Sequence, residues 1–284
     1  MKLTSLLLAL LTFTQLTFAS TAEQSKPTII ALAPHIVEML YDVGAGKQII
    51  GTTAHADYPE AAKKIPQIGN YVRLQLERVI ELQPDLIIAW KSGNPSDDLA
   101  RLEQLGFKVV YSQPNSFQDI ASEIREFAQL TGHKKQGDLV ANKFEQELSQ
   151  ITNQYKDKTN ITGFYELWSR PLTTVAKGSW PQQFLNICKV KNPFDHVITP
   201  YPQISVEQVL SASVQLIVQP LSINQKEREA FNWQDWPVIP AVVNEQIIQP
   251  DADAMHRMTL RSLTALKDLC AKVDQTRLFL QTKK

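Results

Sequence analysis

One segment of this chain occurs twice at identical internal spacing, and that repetition limits the folds open to it more than any other feature. Leu76-Glu77-Arg78-Val79-Ile80 leads through Glu81-Leu82-Gln83-Pro84-Asp85 into the aliphatic run Leu86-Ile87-Ile88-Ala89. Val206-Glu207-Gln208-Val209-Leu210 leads through Ser211-Ala212-Ser213-Val214-Gln215 into Leu216-Ile217-Val218-Gln219. Each copy reads as a short helix carrying a Glu, a loop, and a buried strand. The two copies lie 130 residues apart, well beyond the roughly 20–50 residues of solenoid repeats. Two related α/β lobes in one chain are therefore expected, each presenting an acid at the same place. A matched pair of acids on two lobes points to a cargo held between them and a roughly two-fold partner.

The N-terminus carries Lys2, the apolar run Leu6–Leu11, and small residues up to Ala19 before a polar stretch. That order predicts a cleaved secretory signal peptide over residues 1–19 and hence an exported protein. The run is shorter than the ~20 residues of a spanning helix. Export makes pairing of Cys188 and Cys270 chemically available. A disulfide joining two helices of the second half is expected, with two buried thiols as the alternative. The 29 basic residues balance the 29 acidic ones, which argues against a nucleic-acid or anionic-membrane partner held by bulk charge.

Along the chain, strands alternate with helices, so the sheets should be mainly parallel with helices on their faces. Strands are expected at Thr28–Leu32, Ile49–Gly51, Leu86–Trp90, Val109–Tyr111, Gly163–Trp168, the second aliphatic run and Gln246–Ile248. Helices are expected at Pro34–Val43, Pro95–Leu105 and Pro181–Cys188, with a last one from about Met255 towards Phe279. From Ser116 to about Lys156 the pattern is almost wholly helical, broken at Gly132. The division expected is an N-terminal lobe over 27–133, a connecting helix over 134–158 and a C-terminal lobe over 159–284. A helical connector should limit lobe motion compared with flexible crossover strands.

Several strings carry a family resemblance: Asp57-Tyr58-Pro59, Leu76-Glu77-Arg78-Val79, Pro84 to Trp90 with Gly93-Asn94, and Tyr201 to Leu210, together with the two cysteines. In these the chain resembles the substrate-binding proteins of ABC importers, and within them the vitamin B12-binding branch. The resemblance implies two Rossmann-like α/β lobes joined by one long backbone helix, a monomer in the periplasm, and a cobalamin cargo in the cleft. It implies that Glu77 and Glu207 dock onto a permease dimer whose ATPase subunits supply the energy. It also carries the cleft positions onto His55, Tyr71, Trp90, Tyr201, Asp253 and Arg257. A corrinoid is a broad, partly apolar disc with amide arms, so flat aromatic surface and a few polar groups suit it. His55 and Tyr201 stand where that branch carries a Tyr and a Trp, keeping a ring while changing polarity. Asp253 and Arg257 are also spaced to pair along a helix. Trp180 is a further aromatic candidate, and Trp233 and Trp236 read as packing.

His55 and His256 keep a haem cargo open as the alternative, since imidazole ligates haem iron, with a ferric siderophore behind it. The five histidines show no clustered metal-ligand spacing, so no bare metal is expected. No catalytic residues are expected either. Gly44-Ala45-Gly46 follows a helix rather than a strand and lacks the third glycine of a dinucleotide fingerprint. Lys177-Gly178-Ser179 has no nucleophile-elbow context.

Overall fold

The structure, a computed structural model, describes residues 26–222 and 230–283; the expected leader lies outside the described residues. The first half runs β1 (Ile29–Ala31), α1 (Pro34–Asp42), β2 (Ile49–Thr52), α2 (Leu76–Leu82), β3 (Leu86–Trp90), α3 (Ser96–Gln104) and β4 (Val109–Ser112). Two helices follow, α4 (Phe117–Leu130) and the 22-residue α5 (Lys134–Tyr155). The second half runs β5 (Ile161–Tyr165), β6 (Trp168–Ser169), β7 (Leu172–Thr173), α6 (Gln182–Ile187), β8 (Val190–Lys191), α7 (Val206–Ser211) and β9 (Leu216–Val218). It ends with α8 (Pro240–Val243), β10 (Ile247–Ile248), α9 (Ala252–His256) and α10 (Arg261–Thr282).

The two halves repeat one topology. The first sheet is ordered β2-β1-β3-β4 and the second β8-β5-β9-β10, every pairing parallel. In each, the chain starts on a central strand, steps to one side, then crosses to the other. Such a reversal leaves a crevice at the carboxyl ends of the strands. The repetition reaches into single residues. Gln83 and Ser213, 130 positions apart, both take positive φ where their helices stop. Thr52 and Thr174 each donate a hydroxyl to the last carbonyl of the central strand, Ala31 at 2.9 Å and Tyr165 at 2.7 Å.

Strand alternation decides what each face does. Ile30, Leu32, Ile87 and Ala89 pack with Val79 of α2 and Leu99 and Leu102 of α3 in an outer core. Phe164 and Ile217 do the same with Val209 of α7 and Trp233. The opposite faces, including Ile29, Ala31 and Ile88 from one sheet and Tyr165, Leu216 and Val218 from the other, share one continuous core with α1, α4, α5, α6 and α10. Each fully buried aliphatic side chain contributes about 1.5–3 kcal/mol, so a core common to both lobes resists their separation. Gly137 lets α5 lie close on α4: a Cβ there would stand 2.1 Å from that of Ala128.

Two expectations need correction. The strand expected over Gly163–Trp168 stops at Tyr165, because Glu166 turns inward to bind side chains and Trp168 pairs antiparallel with Thr173 in a small hairpin. The expected last helix is two, α9 and α10, separated by residues 257–260. Thr259 is wholly buried in that break, and Arg257 leaves helical geometry to reach across to the first lobe. Cys188 and Cys270 form the expected disulfide, tying the end of α6 to α10. Among the described residues no helix is long and apolar enough to cross a membrane.

Candidate functional site

The carboxyl ends of the two sheets meet at a seam, and Arg257 spans it. From the segment after α9, Arg257 Nη1 donates to Glu38 Oε1 on α1 at 3.1 Å and to Asp57 Oδ1 after β2 at 2.7 Å. Its other amino group lies 3.4 Å from Asp253. Arg261, at the start of α10, forms a forked pair with Glu38 at 2.9 and 2.7 Å, and its guanidinium covers the Tyr58 ring at 4.2 Å. Glu38 is only 2% exposed, so its carboxylate depends on these two arginines from the other lobe; a buried charge without such partners is strongly disfavoured. Burial acts against ionisation of Asp57, but the Arg257 hydrogen bond and charge hold its carboxyl below the usual value. Burial raises Asp253, with Arg257 opposing.

Trp90 ends β3 half-buried, edge-on to His35 with ring centroids 5.4 Å apart. Asn94 fixes this strand end, accepting from the Trp90 N–H at 2.7 Å and donating to the Leu32 carbonyl at 2.8 Å. A glycine is required at 93, since a Cβ there would lie 1.9 Å from the Trp90 ring. Trp90 Nε1 is buried and has no hydrogen-bond partner among the described residues. Behind the indole, Ser112 donates to Glu123 at 2.6 Å, leaving its oxygen to accept from His35 Nε2–H at 2.9 Å. Burial first, and then the Arg257 charge, lower His35 to about 3. Burial raises Glu123 to about 7. This Ser-His-Glu set cannot act as a nucleophile: Ser112 has no exposed surface, and the acid holds the hydroxyl rather than the imidazole.

Tyr165 at the end of β5 hydrogen-bonds His256 at 2.9 Å. Burial lowers His256 to about 4. Tyr165 is raised by burial and then by the neighbouring Tyr201. Tyr201 is half exposed on a segment whose flanking carbonyls, Pro200 and Pro202, accept from Ala176 and Thr174. His55 and Tyr71 sit on adjoining loops joined by Ala54 N–H to the Gly69 carbonyl at 2.9 Å. His55 is exposed at positive φ, two residues before Asp57, and Tyr71 is 72% exposed.

The structure thus brings Asp253, Arg257 and Asp57 together, places Trp90 at the end of β3 against His35 and Tyr201 near Tyr165, and sets His55 beside Asp57 with Tyr71 on the neighbouring hairpin. Trp180 is core: its Nε1 donates to the Met255 carbonyl and its ring packs on Phe117 and Phe184. Trp233 donates to buried Glu166 at 2.6 Å. Glu77 and Glu207 are both exposed, each the second residue of a helix on the outer face of its sheet. A Ser205–Gln208 capping box starts α7. Sequence reasoning passed over Glu38, Asp57 and Arg261. The signal for Glu38 was legible: a lone acid inside the apolar run His35–Tyr41 must find a cation.

Two parallel α/β lobes, a single helical backbone and a polar, aromatic-edged seam define a two-lobed receptor for a small molecule. The chain belongs to the periplasmic binding protein family, whose family model matches residues 29–254. It is 38% identical over 254 residues to the vitamin B12-binding protein of Vibrio vulnificus strain CMCP6, covering 88% of this chain and 92% of that one. It is similar to the crystal structure of the periplasmic vitamin B12 binding protein BtuF of Vibrio cholerae, with a TM-score of 0.80 and 34% identity over 88% of this chain and 97% of that one. The periplasmic heme-binding protein RhuT of Roseiflexus sp. RS-1 shares the fold, with a TM-score of 0.78 at 21% identity over 89% of this chain and 99% of that one.

Proposed function

We propose that this protein captures a corrinoid of the vitamin B12 type between its lobes and delivers it to the permease dimer of an ABC importer. The observation that carries the reading is the Asp57–Arg257–Asp253 network between the lobes, with Trp90 at the end of β3 and the half-exposed Tyr201 as the rings. Rings supply flat apolar surface for a macrocycle, while carboxylates and guanidinium groups answer its amide arms as acceptors and donors. The likeness to proteins named vitamin B12-binding protein supports the same cargo. His55 and Tyr71 extend this surface from the first lobe.

In this reading Glu77 and Glu207 dock the loaded protein onto the two permease subunits, one acid per lobe. Exposed ion pairs add little affinity, so their work is orientation and encounter rate. The division into a lobe over 27–133, a helix over 134–158 and a lobe over 159–284 follows, as does export of a monomer through cleavage near Ala19. The role is binding without catalysis. For a haem cargo, Tyr165 engages His256, which leaves His55 as the candidate imidazole of the two.

Titration calorimetry of the mature protein with cyanocobalamin, cobinamide and haemin tests the cargo. Saturable one-to-one binding of the corrinoids is expected. A Soret band on adding haemin, with no heat from either corrinoid, overturns the assignment.

A further inference from the structure

Among the described residues, the ion-pair network at the seam holds more negative charge than positive. Arg257 and Arg261 are its two cations, and Glu38, Asp57 and Asp253 bind them directly. Asp251 adds a further acid, capping α9 and acting on Arg261 and Asp253. His35 and His256 are held neutral by burial. Both guanidinium groups are already occupied, one by three carboxylates and the other by a forked pair and an aromatic face. Asp57 and Asp253 keep about a third of their side-chain surface open.

We infer that this network sets the charge selectivity of the cleft, with Asp57 and Asp253 as the residues that reject anionic cargo. This rests on the corrinoid reading above and refines it. A carboxylate accepts hydrogen bonds only, so the two open acids welcome a primary amide N–H₂ and repel a carboxylate at the same spot. An anionic arm would need a free guanidinium, and taking Arg257 would break its bonds to Asp57 and Glu38 and leave the buried Glu38 on Arg261 alone. Selectivity here works by penalising the wrong partner. Neutral, amide-bearing macrocycles fit; macrocycles with ionised acid arms, such as the propionates of haem, do not.

The matched probes are cyanocobalamin and its derivatives in which side-chain amides have been hydrolysed to carboxylates. These share ring, metal and shape and differ in charge. Titration calorimetry on the native protein should show the amide form binding at least about tenfold tighter, as expected when a site's polar groups are left unpaired or opposed. The ratio should shrink severalfold in Asp57→Asn and in Asp253→Asn and widen at low salt, where like charges are less screened. Both positions are partly open, and a thermal melt confirms that each variant is folded. Equal binding of the two forms by the native protein, or a ratio unmoved by both substitutions, overturns the inference alone. Failure of every corrinoid to bind sinks the cargo reading and this inference with it.

Discussion

The two lobes share a strand order but not the means of holding it. In the first, the four strands contain three to five residues each, and backbone ladders carry the sheet. In the second, β8 and β10 have two residues and β9 three, so side chains take over. Glu166, 5% exposed, accepts from Ser169, Gln219 and Trp233 at 2.7, 2.8 and 2.6 Å. Arg277 donates to the carbonyls of Thr159 and Cys188. Asn192 donates to the Val175 carbonyl and to Gln182. The disulfide adds a covalent tie. Topology can thus be duplicated while stabilisation diverges, because strand order sets where elements go and local chemistry sets what secures them.

The sharpest test of equivalence between the lobes is functional. Glu77→Ala and Glu207→Ala should each lower cargo uptake by cells to a similar degree. The double variant should bring it to background while calorimetry shows unchanged cargo binding. Uptake persisting in the double variant breaks the symmetry argument.

The next effect is on stability and falls on the second lobe alone. Replacing Cys188 and Cys270 with alanine opens a loop of 82 residues, which should cost about 4 kcal/mol by loop-closure entropy. Denaturant unfolding of the native and double-alanine proteins measures it. A midpoint that does not move would show that the side-chain network suffices without the covalent tie.

The smallest effect separates the lobes by pH. His256 in the second lobe has its pKa lowered to about 4, so the unfolded chain binds more protons and stability falls as pH drops below about 6.5. In the first lobe His35 acts the same way, but Glu123 and Asp42, both raised to about 7 mainly by burial, act oppositely. Each takes up a proton in the fold, so each adds stability as pH falls from about 7. Going from pH 7 to 5, Glu123→Gln should therefore lose stability relative to the native protein, and His256→Gln should gain it. Each change should be on the order of 1 kcal/mol, read from melting temperatures at the two pH values. Identical slopes in all three proteins would remove the contrast.

Much of this architecture could be read before any coordinates. The doubled Glu-helix-strand unit foretold both sheets, because helix caps and aliphatic strands are local signals. Gly44, Gly106 and Gly132 mark helix ends at positive φ where the sequence placed them. The helical connector and the partnership of Cys188 with Cys270 were also legible. The seam was read only in part. Trp90, Tyr201, Asp253 and Arg257 were named as expected cleft positions and the Asp253–Arg257 pair by its spacing, but the ties of Arg257 to Glu38 and Asp57 were not.

Glu38 and Arg257 lie 219 residues apart, and no window of sequence reveals that a buried acid on one lobe is neutralised from the other. Sequence alone determined the parts and their repetition, since propensity, capping and alternation act over a few residues. Tertiary structure decided the charge balance of the seam, the break before α10 and the shared core. Those depend on which surfaces exclude water together, and that is a property of the packed chain.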